Sequence, residues 1–247
     1  MGRVGDKEST SVRLAADLRR RILGGELAPG MRLPAERVLA EDWKVNRHTL
    51  REALRLLEAQ GLLLSRQGSG ATILDFRNQG RIELAPFYFE AIGLSPNIKP
   101  EIEAFLALRS AFLVEAAGFA AHEATAEAKR LIVDAAAGIK AAKGDGAKVV
   151  ELDFLFYQVM VSATNRLLYR WMLNSFADRI QPILINFAFI WSRPDSYFTS
   201  LSSTVDKIAA GDVEGARSGL KAHLAENDQQ IIEALNFFLG LSKTNKE

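Results

Sequence analysis

Apolar residues recur at helical spacing along almost all of this 247-residue chain, and one stretch breaks the period: "LLLSRQGSGATILDF", residues 62–76. Two short apolar runs around a glycine-containing tip read as a strand pair forming a hairpin. Strand is thereby confined to one small element, and helices must build the rest. The expected fold class is mainly α, and what lies on either side of the hairpin says how the chain divides.

Ahead of the hairpin stand three helical segments. Val12, Ala15, Ala16, Leu18, Ile22 and Leu23 make the apolar side of the first, which Gly24 and Gly25 stop. "ELAPGMRL" turns around Pro29 and Gly30. Pro34 suits the first position of the second helix, "PAERVLAEDW", because its missing N–H would be unpaired there anyway. Asn46 is a good N-cap for the third, with Val45 placed to pack on Leu50 as a hydrophobic staple. Leu50, Ala53, Leu54 and Leu57 then fall on one stripe, and Arg47, Arg51 and Arg55 on a neighbouring one. Three helices followed by a hairpin spell a winged helix-turn-helix, whose second and third helices are the turn-helix pair.

Beyond residue 77 the pattern is helical alone. "IELAPFYFEAIG" (82–93) is a short amphipathic segment, and "LSPNIKP" is a break with two prolines. Helices are expected over 101–123, 125–143, 148–164, 167–191 with a kink at Pro182, 196–210 and 213–241. About six or seven helices with short joints form an antiparallel all-α bundle with its own core. The expected domains are a winged helix-turn-helix over residues 1–77, with a disordered N-terminal tail, and the helical bundle over 78–247.

The formal net charge of +1 conceals an uneven distribution. Residues 1–80 hold 14 Lys and Arg against 10 Asp and Glu, and the remainder 17 against 20, so the basic surplus lies wholly at the front, where a polyanion would dock. No cysteine occurs, which removes disulfides and thiolate metal sites and fits a reducing compartment. The longest apolar stretch, "ILINFAFIW" (183–191), is interrupted by Asn186 and too short for a bilayer. "MGRVGDKEST" lacks the apolar core of a secretion signal. A cytoplasmic protein with no membrane partner is the expectation.

An α-helix fits the DNA major groove, where arginine can bond both acceptors of a guanine. Arg47 and Arg51 are placed for that task. His48 and Thr49 are short donors near the helix N-terminus, where backbone N–H groups and the helix dipole favour a phosphate. Arg66, Gln67, Gly68, Ser69 and Gly70 at the hairpin tip can approach the DNA backbone or minor groove, and Arg37 on the second helix can brace a phosphate. Arginines on an amphipathic helix are often only solvated surface. Here the helix, its staple, the preceding helix and the wing occur in order, and the combination favours double-stranded DNA as partner.

The stretch "LPAERVLAEDWKVNRHTLREALRLLEAQGLLLSRQGSGATI" resembles the signature of the GntR family of bacterial transcription regulators, in its "PAER-LAE" helix, its "V-R-T-REAL--L-A-GL" recognition helix and its "GSG" wing. The resemblance implies that Arg37, Arg47, Thr49, Arg51 and Gly68 contact DNA. His48 stands where the family often has threonine, and Asn46 replaces the commoner serine or threonine. The helical remainder is similar to the FadR-type, FCD-like effector domain of that family, through "LALRSAFLVEAAGFAA" (106–121), "ELDFLFYQVMVSATNRLL" (151–168) and "AAGDVEGARSGLKAHL" (209–224). Such domains usually bind a small organic acid or acyl metabolite, and many hold a metal through an Asp, a His four residues on and two later histidines. Asp153 fits the first place and His223 the last, but Tyr157 and Leu201 stand at the other two, so no metal and no other cofactor is expected.

Leu152, Leu155, Phe156 and Val159 are expected to make a core stripe with Asp153 and Tyr157 beside it, and His223, between Leu220 and Leu224, to point inward. Two readings stay open. Either the polar residues are a satisfied cluster that holds helices in register, or Arg109, Asp153, Tyr157 and His223 line a metal-free pocket that fixes the polar end of an organic ligand. His122 and Trp171 read as structural.

The expected function is a homodimeric, effector-responsive DNA-binding regulator reading a short palindromic operator. One alternative is a ligand-independent or architectural DNA-binding regulator with a vestigial pocket. Another is an enzyme using Asp153 and His223 as acid and base, which lacks a Gly-rich phosphate loop, a nucleophile elbow and a metal-binding pair. No enzyme is expected.

Overall fold

The structure, a computed structural model, describes residues 9–66, 70–175 and 193–244. The N-terminal tail, the wing-tip residues Gln67, Gly68 and Ser69, and the expected kink at Pro182 lie outside the described residues. The chain falls into two compact units, Met1–Gly93 and Leu94–Glu247.

In the first unit, α1 (Thr10–Leu23) is capped by Ser9 and buries Ala15, Leu18, Ile22 and Leu23. α2 (Glu36–Asp42), α3 (Arg47–Ala59), β1 (Leu63–Arg66) and β2 (Gly70–Ile73) follow in the order read from the pattern. The strands pair antiparallel, Leu63 opposite Ile73 and Arg66 opposite Gly70. Pro34 does not open α2, which starts at Glu36. The chain before it explains why: Gly30 and Leu33 N–H donate to the Ile73 and Ala71 carbonyls at 2.9 and 2.8 Å, and Ile73 N–H donates to Met31 at 2.9 Å. Residues 30–33 thus run extended along β2, and a helix cannot begin until that edge is complete.

The first unit also reaches beyond the 77/78 boundary expected from sequence. After α4 (Phe76–Gln79) and a 3-10 turn (Ile82–Leu84), α5 (Ala85–Ile92) packs on α1. Leu84 is buried in the unit's core, with Phe76, Phe87, Tyr88 and Ala91 packed on it, and the Arg19 guanidinium lies 3.6 Å over the Phe87 ring. The apolar face of residues 82–93 therefore belongs to the three-helix core rather than to the bundle.

The second unit contains α6 (Ile98–Glu123), α7 (Ala126–Ala141), α8 (Gly146–Ala163), a helical stretch α9 described over residues 167–175, α10 (Asp195–Ala210) and α11 (Val213–Thr244). α6 and α10 pack on α11, and α7 packs on both α8 and α10. Thr125 and Asp145 cap α7 and α8, and Gly211, at φ 79°, ends α10 in the left-handed conformation that glycine adopts without strain. By length and composition alone α6 could cross a bilayer, with a mean hydropathy of 1.5 in its most apolar window. Its Leu113, Ala116, Ala117 and Ala120 are instead buried in the bundle core.

On α8 the buried stripe is Val149, Asp153, Phe156 and Met160, spaced i, i+4, i+7, i+11. Leu152 and Val159 are partly buried, and Leu155, expected in the core, is 46% exposed. The helix is turned so that Asp153 itself faces inward, where hydrogen-bonding partners from other elements meet it. Trp171, read as structural, is exposed.

Candidate functional site

The first site is the outer face of α3. Asn46 Oδ1 accepts a hydrogen bond from Thr49 N–H at 2.8 Å, so the helix starts sharply and Arg47 and His48 stand in its first turn. Leu50, Ala53, Leu54 and Leu57 are buried, which turns Arg47, Arg51 and Arg55 outward as exposed side chains on one stripe. Consecutive arginines are displaced about 6 Å along the axis, a spacing that suits successive base steps.

Carboxylates organise this face. Arg51 Nε donates to Glu36 Oε2 at 2.7 Å, Arg37 to Glu41 at 2.8 Å, and His48 Nε2 lies 3.4 Å from Glu52. Arg47 makes no ion pair among the described residues. Thr49 is half-buried and Arg37, Arg47, His48 and Arg51 are exposed. The structure thus brings Arg51 and α2 together through Glu36, a link invisible in helical spacing because it joins two helices. Gln67 and Gly68 lie outside the described residues.

The second site is a buried polar cluster in the helical unit. Asp153 on α8 accepts from the Tyr197 hydroxyl of α10 at one carboxylate oxygen and from the Arg193 guanidinium, 3.5 Å away, at the other. Arg193 also donates to Asn227 of α11 and lies over the Tyr197 ring, 4.8 Å from its centroid. The Tyr197 and His223 rings are 4.7 Å apart, and His223 Nδ1 is 2.8 Å from Ser200 Oγ. Arg109 on α6 donates to Asp228 on α11. His223 Nε2 and Arg109 Nε are buried and find no hydrogen-bond partner among the described residues.

Burial sets the protonation states. It pushes the Asp153 carboxyl up to about 6 even though Arg193, Tyr197 and Arg109 favour the ionised form. It pushes the His223 imidazole down to about 4, and the charges of Arg193 and Arg109 push the same way, so the ring is neutral near pH 7. Tyr157 and Tyr197 are raised first by burial and then by the Asp153 charge, so both remain protonated phenols. Asp228 is raised by burial against the opposing charge of Arg109.

Of the residues expected at a ligand pocket, Arg109 lies within electrostatic reach of Asp153, Tyr157 and His223. Arg193, Tyr197, Ser200, Asn227 and Asp228 join them. Asn227 carried a signal: it lies four residues beyond His223 and breaks the buried stripe of Ala216, Leu220 and Leu224. Arg193 sits before α10 beside Pro194 and carries no periodic signal. Counting from His223 had put a third ligand position at Leu201. That residue is buried in the apolar core, and Ser200 is the one turned to His223.

A metal of the kind many FCD-like domains hold does not fit these donors. A phenol and a core leucine stand at the two positions where imidazoles would be needed, and a guanidinium already sits on Asp153. Among the described residues no group of three His, Cys, Asp or Glu is arranged to hold a metal ion.

Comparison with known proteins matches residues 10–73 to the family described as bacterial regulatory proteins, gntR family, and residues 104–226 to the FCD domain. The putative L-lactate dehydrogenase operon regulatory protein of Escherichia coli is 30% identical over 234 residues, covering 90% of this chain and 84% of that protein. The HTH-type transcriptional regulator LutR of Bacillus subtilis is 27% identical over 209 residues, covering 82% and 92%. Among solved structures, E. coli McbR/YncC is 18% identical and covers 93% of this chain and 99% of its own, at a TM-score of 0.50, a likeness of fold. Sequence likeness of this breadth, on a helix-turn-helix and a helical bundle of the kind just described, makes the chain a member of the gntR family of bacterial regulatory proteins: a DNA-binding transcriptional regulator that carries an FCD domain.

Proposed function

We propose that this regulator is a cytoplasmic homodimer that reads a short palindromic operator, and that a small organic-acid or acyl metabolite held in the buried polar cluster changes its hold on DNA. In this reading Arg47 and Arg51 address base edges, while Arg37, His48, Thr49, Gln67 and Gly68 serve the phosphate backbone and the groove beside it. The effector rests on Arg109, Asp153, Tyr157 and His223.

The observation that carries the effector reading is His223 Nε2, buried at 1% residue exposure with no partner among the described residues, in a cluster that joins α6, α8, α10 and α11. Buried polar atoms are nearly always hydrogen-bonded, and one left over amid guanidinium groups is what a polar ligand would satisfy. A ligand bridging those helices would shift the balance between arrangements of the unit to the extent that it binds one of them better. The E. coli relative is named for an L-lactate dehydrogenase operon, so L-lactate is the first probe.

The test is fluorescence anisotropy on matched and scrambled operator duplexes across a salt series, with and without a panel of organic acids and acyl-CoAs. Affinity for the matched duplex should fall steeply with salt, and Arg47→Ala or Arg51→Ala should each weaken it by about tenfold or more and erode sequence preference. At least one panel member should move operator affinity. A second reading has its own support: Asp153, Arg193 and Tyr197 suffice to hold the helices in register with no ligand. Operator affinity unmoved by the whole panel would select it.

A further inference from the structure

We infer that Arg193 takes the place of the metal ion in this chain, holding Asp153 itself, and that a carboxylate ligand is received on Arg109 and His223 without any metal. The inference rests on the effector reading above and assigns its chemistry.

A divalent ion in a helical ligand site does two things: it draws together donors from separate helices, and it presents positive charge to an acidic ligand. Arg193 does the first. Its guanidinium bonds Asp153 of α8 and Asn227 of α11 and covers the Tyr197 ring of α10, so one fixed cation ties three helices. Its side chain is 8% exposed and cannot leave without stranding a buried carboxylate. A divalent ion at Asp153 would meet that guanidinium and the charge of Arg109 in addition to lacking imidazole donors.

Arg109 does the second. A guanidinium offers five N–H donors in a planar fork that matches a carboxylate. Arg109 gives one terminal nitrogen to Asp228, while its Nε is buried with no partner among the described residues. Its side chain is 19% exposed, the more accessible of the two arginines. Its charge acts on the same His223 whose Nε2 is unpartnered. The ligand-facing atoms are thus a cationic donor and a neutral imidazole nitrogen, a pair suited to a carboxylate with a second polar group.

The experiment uses the full chain, stripped with excess EDTA and dialysed, titrated calorimetrically with L-lactate, succinate and octanoate, and with lactamide as the uncharged control. At least one carboxylate should bind saturably and lactamide should not. Adding zinc or manganese should leave that affinity unchanged within about twofold, and neither ion should raise Tm by itself. Arg109→Gln should weaken the carboxylate by about tenfold or more. Because that variant leaves Asp228 unpaired, Arg109→Gln combined with Asp228→Asn keeps the cluster neutral and should show the same loss.

Carboxylate binding that returns only with metal, or a metal ion that stabilises the stripped chain, overturns the inference and leaves the effector reading standing. So does lactamide binding as well as lactate. Failure of all three carboxylates, while an acyl-CoA or a neutral compound moves operator affinity, overturns it in the same way. Failure of every compound in both assays removes the effector reading as well.

Discussion

Replacing His223 with asparagine should change how the stability of the helical unit depends on pH, by an amount the structure sets. Asparagine keeps a hydrogen-bonding group near Ser200 Oγ, which now lies 2.8 Å from Nδ1, and removes the titrating ring. The imidazole is pushed down from 6.5 to about 4, first by burial and then by Arg193 and Arg109. As pH falls below 6.5 the unfolded chain takes up a proton that the folded chain refuses, and stability drains away until the folded ring also protonates near 4. Between pH 7 and pH 5 wild type should lose about 2 kcal/mol relative to His223→Asn, at about 1.4 kcal/mol for each tenfold change in proton activity. Asp153, raised to about 6, contributes in the opposite sense: its favourable share is complete below 3.8 and is lost as pH rises through about 6. That contribution is common to both chains and cancels in the difference. Calorimetric or urea unfolding of both chains at the two pH values measures it. A difference that stays constant across the range would refute a buried neutral His223 and the desolvated cluster with it.

Three further substitutions probe the first unit. Glu36→Gln should cost less than about 1 kcal/mol in stability, because its 2.7 Å pair with Arg51 is exposed, yet matched operator should lose several-fold of its advantage over a single-base mismatch as Arg51 loses its bearing; competition anisotropy reads that ratio. Asn46→Ala removes the cap on α3 and should lower thermal stability by about 1 kcal/mol, seen in urea unfolding. Leu50→Ala empties a fully buried position and should cost about 2–5 kcal/mol in the same assay, an order of magnitude that no exposed arginine substitution should approach.

The legible parts of this fold are those where a single helix or strand decides the outcome by itself. α3 is set by its own cap, its own leucine stripe and its own arginines, and all three stand as the spacing requires. α2 departs from its pattern because residues outside it, 30–33, are claimed by β2, and backbone hydrogen bonds to a distant strand leave no mark on local periodicity. Residues 82–93 departed in the same way, since an amphipathic segment declares that it will be buried but not against which core.

The polar cluster carries that lesson into function. Helical spacing placed Asp153 beside an apolar stripe rather than in it, because a carboxylate at a buried position is costly and the leucines set the centre of the stripe. What turns it inward is a hydroxyl from α10 and a guanidinium from the segment before α10, 44 and 40 residues away in sequence. Neither partner has meaning alone: Tyr197 reads as one more core aromatic and Arg193 as one more surface cation beside a proline. Once paired they offset part of the cost of burial, which still raises the carboxyl to about 6. The same pairing explains how the metal-ligand pattern can fail at Tyr157 and Leu201 without leaving Asp153 without a cation. A chain that keeps the carboxylate while losing imidazoles must supply another cation, and only one that reaches both α8 and α11 can replace a metal's grip on separate helices. Arg193 meets that requirement through Asp153 and Asn227.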